Sequence, residues 1–148
     1  MRAEKATLTN LCMLTHQDKV LIEKRKNKNW SGVTFPGGHV EPKESFVDSV
    51  IREVYEETGL TIQDPILCGI KQFTTDEDGR YIVLLYKASK FTGQIKSSSE
   101  GEILWVNQKN LLSANLAARF EELYEVFTSQ NSELYYFEDN GDWHTEIK

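Results

Sequence analysis

The chain has 148 residues, 39% of them hydrophobic, and 17 Lys and Arg against 23 Asp and Glu leave a net charge of −6. That length suits one domain with a real core and is cramped for two, no run nears the ~20 apolar residues of a membrane span, and "MRAEKATLTNLCML" lacks the apolar run of a signal peptide. The acidic balance argues against a grip on a nucleic-acid polymer, so the expectation is a cytoplasmic protein with neither a nucleic-acid nor a membrane partner, monomer or homodimer.

In chain order, "TLTNLCML" reads as a first strand, "HQDK" as a turn and "VLIEK" as a second strand, together a hairpin. "RKNKNWSG" is a basic loop, and "VTF" is a short extended run stopped by Pro36 and two glycines. From Ser45 the period becomes helical: Phe46, Val47, Val50, Ile51 and Val54 form one apolar arc, with Gly59 placed to end the helix and Leu60 to cover its last turn as in a Schellman motif. "ILCGIKQF" and "YIVLLYKA" are two strands joined by "TTDEDGR", the second apolar enough for the middle of a sheet, and "EILWV" is a further strand. A second helix fits "NLAARFEELYEVF", with Leu116, Phe120, Leu123 and Phe127 on one side, before a polar, acidic tail "EDNGDWHTEIK". The expectation is one mixed α/β domain over residues 1–148, its core at about residues 5–130. Cys12 and Cys68 lie in apolar, strand-like surroundings and read as reduced core thiols, while His16, His39 and His144 show no zinc spacing.

Within the first helix, Glu53, Glu56 and Glu57 span about 100° of the surface, next to the apolar arc. Like charges at this spacing destabilise a helix by about 0.2–0.5 kcal/mol per pair, and they also sit at the negative end of its dipole. By helical spacing Arg52 offsets Glu56 only. Two readings stand on spacing alone: a solvated acidic face, or a site for a hard divalent cation that takes oxygen ligands. The second gains from the context, because an acidic protein that binds a phosphate compound needs a cation between them, and a Gly-Gly turn lets backbone approach a ligand closely.

The segment "GGHVEPKESFVDSVIREVYEETGL" resembles the Nudix box of the Nudix hydrolases: Gly, five residues, Glu, seven residues, Arg-Glu, an aliphatic residue, any residue, Glu-Glu, any residue, Gly and an aliphatic residue. Gly38, Glu44, Arg52, Glu53, Val54, Glu56, Glu57, Gly59 and Leu60 fill every specified position. The resemblance implies an α/β/α sandwich, a mixed β-sheet between helices, that hydrolyses a diphosphate linkage in a small nucleotide with a divalent cation, Mg²⁺ or alternatively Mn²⁺. It makes Glu53, Glu56 and Glu57 metal ligands together with the Gly38 carbonyl, Glu53 or Glu56 the base, and Arg52 and Glu44 an orienting pair. The lesser alternative for Glu44, and less still for Arg52, is a helix-stabilising ion pair with no catalytic part.

Family members often place another glutamate before a strand ending in Trp; in "SSSEGEILWV" Glu100 is favoured over Glu102, which belongs to the strand. "KVLIEKRKNKNWSGVTFPGGHVE" is similar to the MutT-type members, which cut nucleoside triphosphates to a monophosphate and pyrophosphate, in some cases sanitising 8-oxo-dGTP. By that resemblance Arg25, with Lys24 and Lys26 as substitutes, meets phosphate, and backbone near Phe35 borders the base. Trp30 either stacks on the base or pins its loop, and Asn115 either reads the purine edge or caps the second helix. Hydrolysis of ADP-ribose, a sugar nucleotide or a dinucleoside polyphosphate is the nearest alternative, and a noncatalytic nucleotide sensor lies beyond it.

Overall fold

Strands with two apolar faces organise the molecule. In the computed structural model, which describes residues 2–27, 32–75, 78–99 and 101–148, the order is β1 (Lys5–His16), β2 (Lys19–Arg25), β3 (Gly32–Thr34), α1 (Phe46–Thr58), β4 (Leu60–Gln63), β5 (Ile66–Thr74), β6 (Gly79–Ala88), β7 (Lys90–Gly93), β8 (Gly101–Asn107), α2 (Phe120–Thr128), β9 (Glu133–Asp139) and β10 (Asp142–Ile147). Along β1, Leu11 and Met13 join one core while Cys12 and Leu14 join another; along β6, Val83 and Leu85 alternate in the same way with Leu84 and Tyr86. Neither face of such a strand tolerates water, so the sheet needs a cover on each side.

The helices supply it. Val50 and Val54 of α1 are fully buried in the core with Cys12 and Leu14, whereas Phe120, Leu123, Val126 and Phe127 of α2 close the core with Met13 and Leu85. The sheet runs β10-β9-β5-β6-β1-β2-β3, with β8 added to β2. β1 is parallel to β6 and β5 to β9, and the other pairs are antiparallel, so the sheet is mixed. β1 meets β2 only at Thr15↔Val20 and His16↔Lys19, and the sheet curls there. The α/β/α arrangement expected from the sequence is what the chain adopts. Both cysteines are free, and burial pushes the Cys12 thiol up to about 12, as suits an inert core group. Among the described residues no helix is long and apolar enough to cross a membrane.

Several elements differ from expectation. The polar tail is a hairpin: β9 and β10 turn at Asn140 and Gly141, both at positive φ (52° and 85°), and β9 joins β5, so the core extends past residue 130. α2 begins at Phe120 rather than at residue 115. Upstream, the Asn115 carbonyl takes the Val33 N–H at 2.8 Å and the Ala117 N–H donates to the Val33 carbonyl at 3.0 Å, so this backbone is spent on β3 instead of a helical turn. At the start of α1, Phe46 and Val47 are exposed, because the sheet lies under its later turns. Two short strands, β4 and β7, pair as a small separate sheet that their length left unmarked in the sequence.

Candidate active site

α1 is fixed at both ends, and its rotation follows. Ser45 Oγ accepts the Asp48 N–H at 3.0 Å, and Gly59 (φ 82°) donates its N–H to the Tyr55 carbonyl at 2.9 Å. The next N–H, on Leu60, goes to Thr58 Oγ1 at 3.1 Å, so the end is a single αL cap rather than a full Schellman motif. Burial of Val50 and Val54, about 1.5–3 kcal/mol each, holds one face on the sheet. Glu57 is thereby buried, the Glu53 side chain is 15% exposed and that of Glu56 is 55% exposed.

The Gly-Gly turn is pressed between β1 and this helix. Asn10, buried on β1, donates its N–H to the Gly38 carbonyl at 2.8 Å, accepts the Gly38 N–H on Oδ1 at 3.2 Å, and donates from Nδ2 to Ser49 Oγ at 3.0 Å. A Cβ at Gly38 would overlap the Glu53 carboxylate, and one at Gly37 would overlap the Asn10 carbonyl. Both glycines are thus demanded by close approach. The Gly38 carbonyl, expected to face a metal ion, has one lone pair committed to β1, and the Gly37 N–H holds Glu57 Oε2 at 3.0 Å.

Arg52 gathers more than its helical spacing suggested. Its Nε and Nη2 form a bidentate pair with Glu44 at 2.7 and 3.0 Å, Nη1 reaches Glu53 at 3.0 Å and Glu56 at 3.2 Å, and Nη2 also donates to the His39 carbonyl at 2.9 Å. The Glu41 N–H adds a further bond to Glu44 at 3.0 Å. The Arg52 hydrogen bonds, and then the Glu41 N–H, hold the Glu44 carboxyl at about 2, while the same pairing raises Arg52. Among the described residues no three carboxylates converge on one point as a closed metal site. Arg52 draws Glu53 and Glu56 together, and Gly37 turns Glu57 towards the loop.

These carboxylates open into a cleft of about 850 Å³. Glu53, Glu56, Glu57 and Gly38 line it, and so do Arg25, Lys26 and Phe35. The Phe35 side chain is only 1% exposed and meets Phe120 and Phe127 edge-on at 4.9 and 5.2 Å, so it forms floor rather than a free ring. Glu44 stays behind the cleft, on Arg52. Asn115 is exposed, precedes α2 by five residues and does not line the cleft, which removes the helix-cap reading. Lys24 is exposed, and Glu102 lies within β8 opposite Lys24. Trp30 and Glu100 fall outside the described residues.

Sequence reasoning missed one wall. Phe73 and Tyr81, on neighbouring strands, stack at 5.0 Å with planes 10° apart, and both line the cleft with Lys71 and Glu23. Burial, and then the charge of Arg25, pulls the Lys71 ammonium below its ordinary range. The available signal was strand parity, since Glu23 and Arg25, Lys71 and Phe73, and Tyr81 and Val83 are each two apart on one strand.

A family model described as NUDIX domain matches residues 6–129. The chain is 37% identical over 112 residues to the uncharacterized Nudix hydrolase YvcI of Bacillus subtilis, covering 72% of this chain and 69% of that one. It is 31% identical over 93 residues to an ADP-ribose pyrophosphatase of Methanocaldococcus jannaschii, covering 61% of this chain and about half, 54%, of that relative. Its fold superposes on a MutT protein of Bacillus halodurans with a TM-score of 0.78 at 25% identity, over 95% of this chain and 97% of that one. With Gly38, Glu53, Glu56 and Glu57 of the box at one cleft and these likenesses in sequence and fold, the chain belongs to the Nudix hydrolase family and is MutT-like.

Proposed function

We propose that the protein is a Mg²⁺-dependent nucleoside triphosphate pyrophosphohydrolase that releases a nucleoside monophosphate and pyrophosphate, with oxidised guanine nucleotide such as 8-oxo-dGTP as leading substrate. Nudix hydrolases act on nucleoside diphosphate derivatives and generally use divalent metal ions. One observation carries the finer reading: the three box glutamates share a cleft with Arg25 and the stacked Phe73–Tyr81 pair. Carboxylate, cation and aromatic surfaces match, in turn, metal, phosphate and base.

The donor set fits a hard cation such as Mg²⁺, with Mn²⁺ as the alternative, because it is all oxygen and because Gly38 leaves the Glu53 carboxylate the space that a Cβ would take. Glu53, Glu56 and Glu57 would hold it, with the second lone pair of the Gly38 carbonyl and with Glu100. When bound, the cation supplies positive charge against phosphate oxygens and acidifies water. Glu53 or Glu56 would take a proton from the attacking water, whose oxygen bonds to phosphorus as the bridge between the α and β phosphates breaks, leaving nucleoside monophosphate and pyrophosphate as the two products. Arg52, locked by Glu44, keeps both carboxylates oriented before substrate arrives. Arg25 and Lys26 meet the phosphates, and Lys71 adds a cation near Arg25. The Phe73–Tyr81 wall stacks on the base, worth about 1–3 kcal/mol.

The likeness to an ADP-ribose pyrophosphatase favours a second reading, in which the same site cuts ADP-ribose. A panel of nucleoside triphosphates, 8-oxo-dGTP, ADP-ribose, a sugar nucleotide and a dinucleoside polyphosphate, each with Mg²⁺, separates the two by products. Monophosphate and pyrophosphate from a triphosphate supports the proposal. AMP and ribose 5-phosphate, with no triphosphate cleaved, moves the assignment to the second reading. Tight nucleotide binding with no product from any compound would leave a noncatalytic sensor.

A further inference from the structure

We propose that β10 is a self-complementary edge through which two copies of this chain join into one continuous sheet about a twofold axis at Thr145. β10 ends the strand order, and among the described residues β9 is its only sheet neighbour. The direction of its backbone groups follows from the hairpin. Lys148 and Glu133 exchange N–H and carbonyl bonds, both at 2.9 Å, so Lys148 turns its polar backbone inward to β9. By the antiparallel alternation, His144, Glu146 and Asp142, opposite Phe137, Tyr135 and Asp139, do the same. Trp143, Thr145 and Ile147 therefore present N–H and carbonyl groups to the open edge. The Trp143 carbonyl fits this parity, since it accepts from Arg119 at 3.4 Å rather than from β9; its second lone pair stays available to a strand.

A second copy docked antiparallel, with Thr145 opposite Thr145, places Trp143 opposite Ile147 and forms hydrogen-bonded pairs at all three outward positions. The intervening residues then face one another in the non-hydrogen-bonded pairs, where Cα atoms approach to about 4.5 Å and side chains interact most closely. In that register Asp142 meets Lys148 of the second copy and His144 meets Glu146. Trp143, 40% exposed, lies across from Ile147 on the opposite face of the strand, so one face of the junction is apolar and the other charged. Sliding by one pair in either direction sets Asp142 against Glu146, or Glu146 against its own copy. The strand thus selects one register by charge. Within one chain Lys148 reaches Glu146 at 3.3 Å, an exposed contact that the second copy's Asp142 replaces. Such an interface is isologous, and pairing two open edges removes both.

Sedimentation equilibrium of the whole protein over a concentration series tests this. The expected result is a mass rising to two chains. Thr145→Pro deletes only an outward N–H, leaves the bonds to β9 in place, and is expected to hold the protein at one chain. Asp142→Lys and Lys148→Asp should each weaken the dimer about tenfold, since each creates two like-charge contacts per dimer, and the double exchange should restore wild-type association. A wild-type mass of one chain throughout would overturn the proposal. So would a dimer untouched by Thr145→Pro, or single reversals that the double exchange fails to rescue.

Discussion

The carboxylate floor of the cleft and its aromatic wall are built in opposite ways. Glu53, Glu56, Glu57 and Arg52 come from consecutive turns of one helix, braced by a loop a few residues upstream. Phe73, Tyr81, Lys71 and Arg25 come from three strands and meet only because β5 pairs with β6 and the sheet curls at β2. A reaction common to a family is carried by contiguous chain whose spacing survives as a motif. The proposed recognition wall rests instead on long-range strand register.

The comparison predicts that the floor governs turnover and the wall governs affinity. The largest effect is expected from Glu56→Gln, which removes a charge from an exposed position and so leaves the fold intact; kcat should drop on the order of 10²–10³-fold with the melting temperature unchanged, read by steady-state assay and thermal unfolding. Gly38→Ala should follow, with kcat down about 10²-fold because the new methyl drives the Glu53 carboxylate from its place. Arg52→Lys should cost about 10–100-fold, since an ammonium cannot hold Glu44 in two bonds while also reaching Glu53 and Glu56.

The floor was legible for physical reasons that lie in its residues. The αL Gly59 and the three-four spacing of the glutamates are local features that stand in the structure as expected, whereas the Ser45 side-chain cap and the single-bond form of the helix end were not foreseen. Helical spacing alone gave Arg52 only Glu56, because Glu44 and the His39 carbonyl arrive through a loop; the pairing with Glu44 was carried by the motif resemblance, and the bond to the His39 carbonyl by neither. The "NG" of residues 140 and 141 is a strong hairpin signal, but the acidic composition around it read as a tail. The helical period from Leu116 to Phe127 is genuine in its last three members, whereas Leu116 takes a bridge to Val33 that no local pattern announces. The Phe73–Tyr81 wall needed the β5–β6 register, since the two residues are set opposite one another by a turn.

Smaller effects sharpen the contrast. Glu44 is held at about 2 in the folded chain against an ordinary 4.5, so it adds stability above pH 4.5 that is lost as pH falls towards 2. The melting temperature of the wild type should therefore fall over that window more steeply than that of Glu44→Gln. The two slopes coincide if the Arg52 pairing contributes nothing to the fold.

The most direct test is a kinetic comparison of Glu56→Gln and Tyr81→Ala on whichever substrate the wild type cleaves best. The expected split is a collapse of kcat in Glu56→Gln, and in Tyr81→Ala a KM raised about 5–100-fold with kcat nearly kept, the signature of lost uniform binding. Wild-type turnover in Glu56→Gln, or a Tyr81→Ala variant that loses kcat with KM unmoved, would contradict the division between floor and wall.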